Sequence, residues 1–391
     1  MPGWTRGLVR AGVVALLAVA ALLAARPYVR AAALVARVAQ LEGPLGALAR
    51  AHAASVTTAS LLAPTRHGDV PARVYEPSVD TARTIVLIPG IHSMGIEEPR
   101  LTALASALAG SGVRVVTVAL PDLTRYVITP DATDVAEDIV RWAATRADWA
   151  PDGRVGVIGI SFAGGLAIVA AARPSIANHV AFVLSFGGHA DLPRVLHYLA
   201  TGVAPAVGGL HAPPPHDYGL AVLAYGLAAD GLVPAAQAVM LQDGIRTFLL
   251  ASQLTLVNEA SANDAFARAR QMADSMPVPA RSYMGYVNTR NVIALGHAVA
   301  PLLDSPRFAN PAVSPARTAD TPHAPVYLLH GDADSVIPTA ESLLLAEHLR
   351  PRGVAVHLLI SHLITHAELN QNADAWDVWT LVAFWASVLQ E

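Results

Sequence analysis

The chain of 391 residues has no cysteine and no lysine. Without cysteine there are no disulfides, no thiolate metal sites and no cysteine nucleophile. That absence assigns no compartment, because a disulfide-free chain can sit on either side of a membrane. Without lysine, all positive charge is arginine, which together with abundant alanine reads as a compositional bias and not as a function. Charge of either sign is scarce: charged residues are 14% of the chain and the formal net charge is −4. No basic stripe is visible, so nucleic acid is excluded as the expected partner. No H-E-x-x-H pair and no G-x-x-x-x-G-K-[ST] loop occur, so neither a metal nor a nucleotide cofactor is expected. What the chain does have is apolar residues, at 53%. That excludes disorder and leaves length for one large domain or two ordinary ones.

The N-terminus carries "AGVVALLAVAALLAA" before Arg26 and Pro27, a run of fifteen apolar residues. A membrane span wants ~20 residues, so the run lies between a signal-peptide core and a short anchor. Flanking arginines can snorkel and lengthen the span, and Pro27 is expected to end the helix near the interface. The reading favours an uncleaved anchor over residues 1–30, making the protein membrane-associated. If the segment is cleaved, the protein is secreted or periplasmic. Arg6 and Arg10 are balanced by Arg26, Arg30 and Arg37, so orientation stays open. Residues 31–64 read as an alanine-rich helical connector.

From about Thr65 the pattern becomes strand–helix alternation. Buried strands are read in "DVPARVYEP", "TIVLIPG", "VRVVTVALP", "RVGVIGI" and "HVAFVLSFGG". Between them lie helices over 98–112, 131–147 and 162–172, of which 131–147 is amphipathic with an early acidic turn. Apolar runs on both strand faces predict a mostly parallel sheet with helices on both sides. Residues 65–191 form the first part of that core. Residues 192–320 break the rhythm and read as a helical cap insertion. Residues 321–391 restore the core with "APVYLLHGD", "VAVHLLI" and a final helix in "ADAWDVWTLVAFWASVLQ".

One serine stands out. In "G-I-S-F-A-G", Ser161 sits between a strand and a helix, flanked by residues with almost no side chain. A sharp strand–helix turn needs such smallness, and it would lift Ser161 above the C-terminal edge of the sheet, where open α/β folds bind ligands. The plain alternative is a helix cap. A nucleophilic serine needs a base and an orienting acid. "LLHGDADSVIP" offers Asp332 and Asp334 beyond a strand, and Asp191 follows another. "SHLITHAEL" offers His362 and His366 beyond the last strand. His330 reads as scaffold.

The order Ser, Asp, His and the loop H-G-x-x-D-x-x-(V/I)-P make the chain resemble the α/β-hydrolase superfamily from about residue 65 to the C-terminus. It looks most like the esterase and peptidase-like members. The resemblance implies an α/β-hydrolase fold, with Asp334 as the acid in preference to Asp332 or Asp191. It implies His366 as the base in preference to His362, because the histidine of that superfamily sits in a loop before a final helix. It also implies an oxyanion hole from the backbone N–H of Phe162 and of a residue after "TIVLIPG". The expected second donor is Ile91, and the departure of "PGIHSMG" from the common His-Gly pattern leaves His92 open. The expected function is a serine hydrolase of a carboxylic ester, with a small-molecule, hydrophobic acyl substrate and no cofactor. Acyl transfer, peptide hydrolysis with the same triad, and a non-catalytic tethered binding module are the alternatives.

Overall fold

The computed structural model describes residues 23–255, 258–364 and 374–391. Eight strands form one sheet: β1 (Val56–Ala63), β2 (Val70–Pro77), β3 (Thr84–Ile88), β4 (Arg114–Val118), β5 (Val155–Ile160), β6 (Val180–Phe186), β7 (Val326–Gly331) and β8 (Val356–Ser361). Their order is β1-β2-β4-β3-β5-β6-β7-β8. β2 runs antiparallel to both β1 and β4, and every other pairing is parallel. This is the α/β-hydrolase fold.

The first helices are α1 (residues 23–38), α2 (Gly43–Ala51), α3 (Pro99–Ala109), α4 (Pro121–Thr124), α5 (Pro130–Ala144) and α6 (Phe162–Ala172). Between β6 and β7 come α7 (Leu192–Thr201), α8 (Asp217–Leu227), α9 (Ala235–Leu254), α10 (Glu259–Ser275), α11 (Ala280–Asn288) and α12 (Val292–Val299), with short 3-10 turns. α13 (Ala340–Leu349) joins β7 to β8, and α14 (Ala375–Val388) closes the chain.

The sheet divides the apolar interior into two clusters, and the pleat decides which residue goes where. Val86 and Ile88 of β3 face the cluster containing α5, α6 and the inserted helices. Their neighbours Ile85 and Leu87 face the cluster containing α1, α3 and α14. Successive side chains alternate across a strand, so a strand apolar at every position is one covered on both faces. Burying each such Val, Ile or Leu contributes about 1.5–3 kcal/mol.

Two local expectations are corrected. The connector is not helical throughout: α1 and α2 are helices, but Val56–Ala63 is an edge strand of the sheet, paired along its length with β2. Most of its side chains face solvent, so it lacks the apolar alternation that marks the other strands. Nor does Pro27 end a helix, because helical backbone runs through it from residue 23 to residue 38. A proline costs a helix about 3 kcal/mol. The packing of Ala31, Leu34 and Val35 against α3 and α14 offsets that cost. The Arg30 Nε donates to the Ser111 carbonyl at 2.9 Å, and Arg37 donates to Ala49 and Ala107 carbonyls at 3.0 and 2.9 Å. These arginines therefore hold α1 to the domain. Most of the fifteen-residue apolar run lies outside the described residues. Among the described residues, no helix is long and apolar enough to cross a membrane.

Candidate active site

Ser161 occupies the turn between β5 and α6 with φ +55° and ψ −131°. This left-handed conformation is rare for a residue with a Cβ and stores strain. Its surroundings hold it there. The Ser161 N–H donates to the Phe186 carbonyl at 2.7 Å, and the Gly164 N–H donates to the Ser161 carbonyl at 2.8 Å. A Cβ on Gly159 would overlap the Ala163 carbonyl, and one on Gly165 would overlap the His189 imidazole. Glycine is required at both, because α6 starts so close to the sheet. Ser161 itself is 8% exposed and lines a cleft of about 1730 Å³.

The residues expected to supply the oxyanion donors both line this cleft. Phe162 is the first residue of α6, where backbone N–H groups have no partner within the helix. Across from it, a Cβ on Gly90 would lie 3.2 Å from the Ser161 Cβ, so the loop after β3 passes directly against the serine. Ile91 and His92 follow in that loop, and both line the cleft with Ser161 and Phe162. The His92 Nδ1 accepts from the Met94 N–H at 3.2 Å, which places the ring proton on Nε2. Burial pushes the His92 pKa below the ordinary histidine value, with a smaller opposing pull from Glu98, so the ring is neutral at pH 7. Glu98 caps α3, accepting from the Leu101 N–H at 2.7 Å. Burial works against its charge, but the Arg100 guanidinium and the backbone N–H more than compensate, leaving it below the usual carboxylate range.

Asp334 lies in the loop after β7 and is 1% exposed. Its Oδ1 accepts from the N–H groups of Val336 and Ile337 at 2.8 and 3.0 Å. Its Oδ2 lies 3.4 Å from His330 Nε2. That same Nε2 is 2.9 Å from the Ile337 carbonyl, and Nδ1 is 2.7 Å from Ser342 Oγ. His330 thus carries its proton on Nε2, accepts from Ser342, and braces the loop that carries Asp334 from within. Asp334 also approaches the serine's turn. A Cβ on Gly187 would lie 3.5 Å from the Asp334 Oδ2, and Gly187 directly follows the carbonyl that receives the Ser161 N–H. The strands β5, β6 and β7 are adjacent, so their C-terminal turns deliver Ser161, Gly187 and Asp334 side by side.

The competing residues are engaged elsewhere. Asp191 caps α7 by accepting from the Arg194 N–H at 3.0 Å and pairs with the Arg317 guanidinium. Asp332 and His362 pair with each other at 2.6 Å, and the His362 side chain is 67% exposed. Hydrogen bonding to Asp332, and then its charge, raise the His362 pKa above the ordinary value. None of Asp332, Asp334 and His362 lines the cleft with Ser161. His366 lies outside the described residues, which resume at Asp374 after the strand β8 has ended.

Sequence reasoning missed Glu341. It is 1% exposed, and its Oε2 accepts from the N–H groups of Ala190 and Asp191, both at 2.9 Å, while its other oxygen pairs with Arg194. This carboxylate fixes the entry of the chain into the inserted helices. Nothing in its spacing announces that, because its partners lie far back in sequence. Among the described residues one group has the spacing of metal ligands: His67, Asp131 and Asp134 at the surface near the start of α5. Asp134 already pairs with Arg173 at 2.6 Å.

Residues 124–280 match the sequence model of X-Pro dipeptidyl-peptidase (S15 family). That stretch holds β5, Ser161 and α6, and stops before β7. No curated protein matches the chain. Among solved structures, an esterase from Pyrobaculum calidifontis is similar at 16% identity and a TM-score of 0.47, covering 88% of this chain and 89% of that one. An esterase from Pseudomonas putida ECU1011 is similar at 14% identity and 0.46, covering 91% and 87%. The acylaminoacyl peptidase of Pyrococcus horikoshii is similar at 12% identity and 0.48, covering 89% of this chain and 43% of that one.

Proposed function

We propose that the protein is a serine hydrolase that cleaves a carboxylic ester through an acyl-enzyme. The observation that carries this reading is the strained turn at Ser161, packed against the Gly90–Ile91 loop and opening into the cleft. In the proposed cycle the Ser161 Oγ attacks the ester carbonyl carbon while His366 takes the hydroxyl proton. The developing oxyanion is held by the backbone N–H groups of Phe162 and Ile91, donors whose individual loss typically costs about 3–4 kcal/mol. The tetrahedral adduct collapses, the C–O bond to the alcohol breaks, and His366 returns the proton to the leaving oxygen. Water then repeats the sequence on the acyl-enzyme and releases the acid. Asp334 orients the His366 imidazole and offsets its charge when protonated.

The test is labelling with a fluorophosphonate together with turnover of p-nitrophenyl esters. Parent protein is expected to react with both, and Ser161→Ala with neither. Near-normal turnover by the folded Ser161→Ala variant overturns the assignment, and an unreactive parent points to the non-catalytic module. The S15 match favours a second reading, peptide cleavage with the same residues. An X-Pro-p-nitroanilide hydrolysed faster than any ester would select it. We also propose that the apolar run ending near residue 25 attaches the protein to a membrane. Full-length protein that washes off membranes with carbonate would refute the attachment.

A further inference from the structure

The cleft at Ser161 extends beyond the inserted helices. Phe162, Leu196, Leu199 and Val222 line it from the cluster that contains those helices. Leu34, Leu101, Leu104, Leu381 and Trp385 line it from the other cluster, where α1, α3 and α14 meet. The sheet separates these clusters, so the cleft has a lobe on either side, with the serine at the sheet edge between them.

The lobes differ in chemistry. On the side of the inserted helices the wall includes Tyr126, Tyr218, Gln253 and Arg290. Gln253 Nε2 lies 3.2 Å from the Tyr218 hydroxyl, while its Oε1 is buried and has no hydrogen-bond partner among the described residues. An unpartnered buried amide oxygen is costly unless a ligand donor or water reaches it. Burial keeps Tyr218 a neutral phenol by pushing its pKa up. The lobe under α1 presents mainly hydrocarbon, from the five residues named and the half-buried Val38, with Gln40 and Glu42 lining it where α1 ends. At about 1730 Å³ the cleft is also larger than the ~300–1,000 Å³ of an ordinary small-ligand site.

We infer that the substrate is a long-chain acyl ester of a hydroxyl-bearing alcohol, with the acyl chain lying in the lobe under α1 and the alcohol portion facing Gln253. An ester carbonyl carries its two substituents in opposite directions. A serine between a mainly apolar lobe and a more polar one therefore sorts them by polarity. This inference rests on the Ser161 reading, and it assigns the acyl group to the lobe away from the inserted helices. Each methylene buried in the lobe raises kcat/KM about fourfold until the lobe is full.

The experiment measures kcat/KM across p-nitrophenyl acetate, butyrate, octanoate and laurate for the parent, Val38→Trp and Val222→Trp. The laurate-to-acetate ratio is expected to exceed 10 in the parent and to fall at least tenfold in Val38→Trp, but not in Val222→Trp. A parent that prefers acetate overturns the inference, as does a ratio that collapses in Val222→Trp and persists in Val38→Trp. Binding of a fluorescent long-chain fatty acid to Ser161→Ala reads the lobe without catalysis. Loss of that binding on adding Val38→Trp supports the inference even if the hydrolase reading fails, and its absence in Ser161→Ala refutes it. If Val38→Trp fails to fold by circular dichroism, Ala39→Phe replaces it with the same expected fall in the ratio.

Discussion

Removing the Cβ from residue 161 tests the strain at the turn directly. Ser161 holds φ +55° and ψ −131°, a conformation that costs a residue with a Cβ about 1–3 kcal/mol and glycine almost nothing. Ser161→Ala and Ser161→Gly both lose the hydroxyl, so whatever that hydroxyl touches cancels between them. Going from Ala to Gly ordinarily costs about 0.4–1 kcal/mol in unfolded-chain entropy, plus about 0.8 kcal/mol for one buried methyl group. Ala163, two residues on and fully buried in α6, provides that ordinary cost, and Ala163→Gly should lose about 1.5 kcal/mol. At position 161 the relief of about 2 kcal/mol of strain opposes the same loss, so Ser161→Gly should equal or slightly exceed Ser161→Ala in stability. Urea denaturation of the four proteins gives the two differences. They should differ by about 2 kcal/mol, a factor of roughly 30 in the folding constant. Differences agreeing within about 0.5 kcal/mol would refute a strained turn and weaken the case for Ser161 as nucleophile.

Asp334→Asn should lower kcat by a factor on the order of 10³–10⁴ and Asp332→Asn by less than ten, measured on one p-nitrophenyl ester. Equal losses would return Asp332 to contention. His362 should titrate above the ordinary histidine range by NMR, and Asp332→Asn should bring it back down. Because the folded pKa is raised, the pair stabilises fully below the unfolded pKa near 6.5, and that contribution disappears as pH rises through the folded value. Its exposure keeps the effect small, so activity should not follow this titration. Glu341→Ala leaves Arg194 and two buried N–H groups without their acceptor and should cost about 3–5 kcal/mol in urea denaturation. A loss under 1 kcal/mol would mean that the entry to the inserted helices is held by other contacts.

The parallel core could be read from sequence because burial on both faces leaves a plain signature. Ile85 to Ile88 are all apolar, and only a strand covered twice needs that. The glycines around Ser161 were legible for a related reason, since close approach of a helix to a strand leaves few residue types able to fit. β1 was not legible, because an edge strand with one partner and four consecutive exposed residues carries no apolar alternation. The docking of α1 was hidden too. Its arginines read as flanking charge, whereas in the fold they bind the Ala107 carbonyl in α3 and the Ser111 carbonyl just after it, which no local pattern could indicate. The preference for Asp334 over Asp332 rested on a two-residue difference in spacing within one loop. What distinguishes them physically is that two backbone N–H groups converge on Asp334, while Asp332 reaches outward to His362.

The strand order also bears on how the protein comes into being. β6 finds its neighbour β7 only after the whole stretch from Leu192 to Arg317 has been synthesised. During that interval the edge of β6 is unpaired, and the turn at Ser161 lacks the loop that carries Asp334. The inserted helices are rich in local contacts and can form while β6 waits, since local pairing outruns distant pairing. The entropic cost of bridging so long an insertion grows only with the logarithm of its length. A nascent chain stopped anywhere in the insertion would thus present the turn at Ser161 without the loop that carries Asp334 beside it.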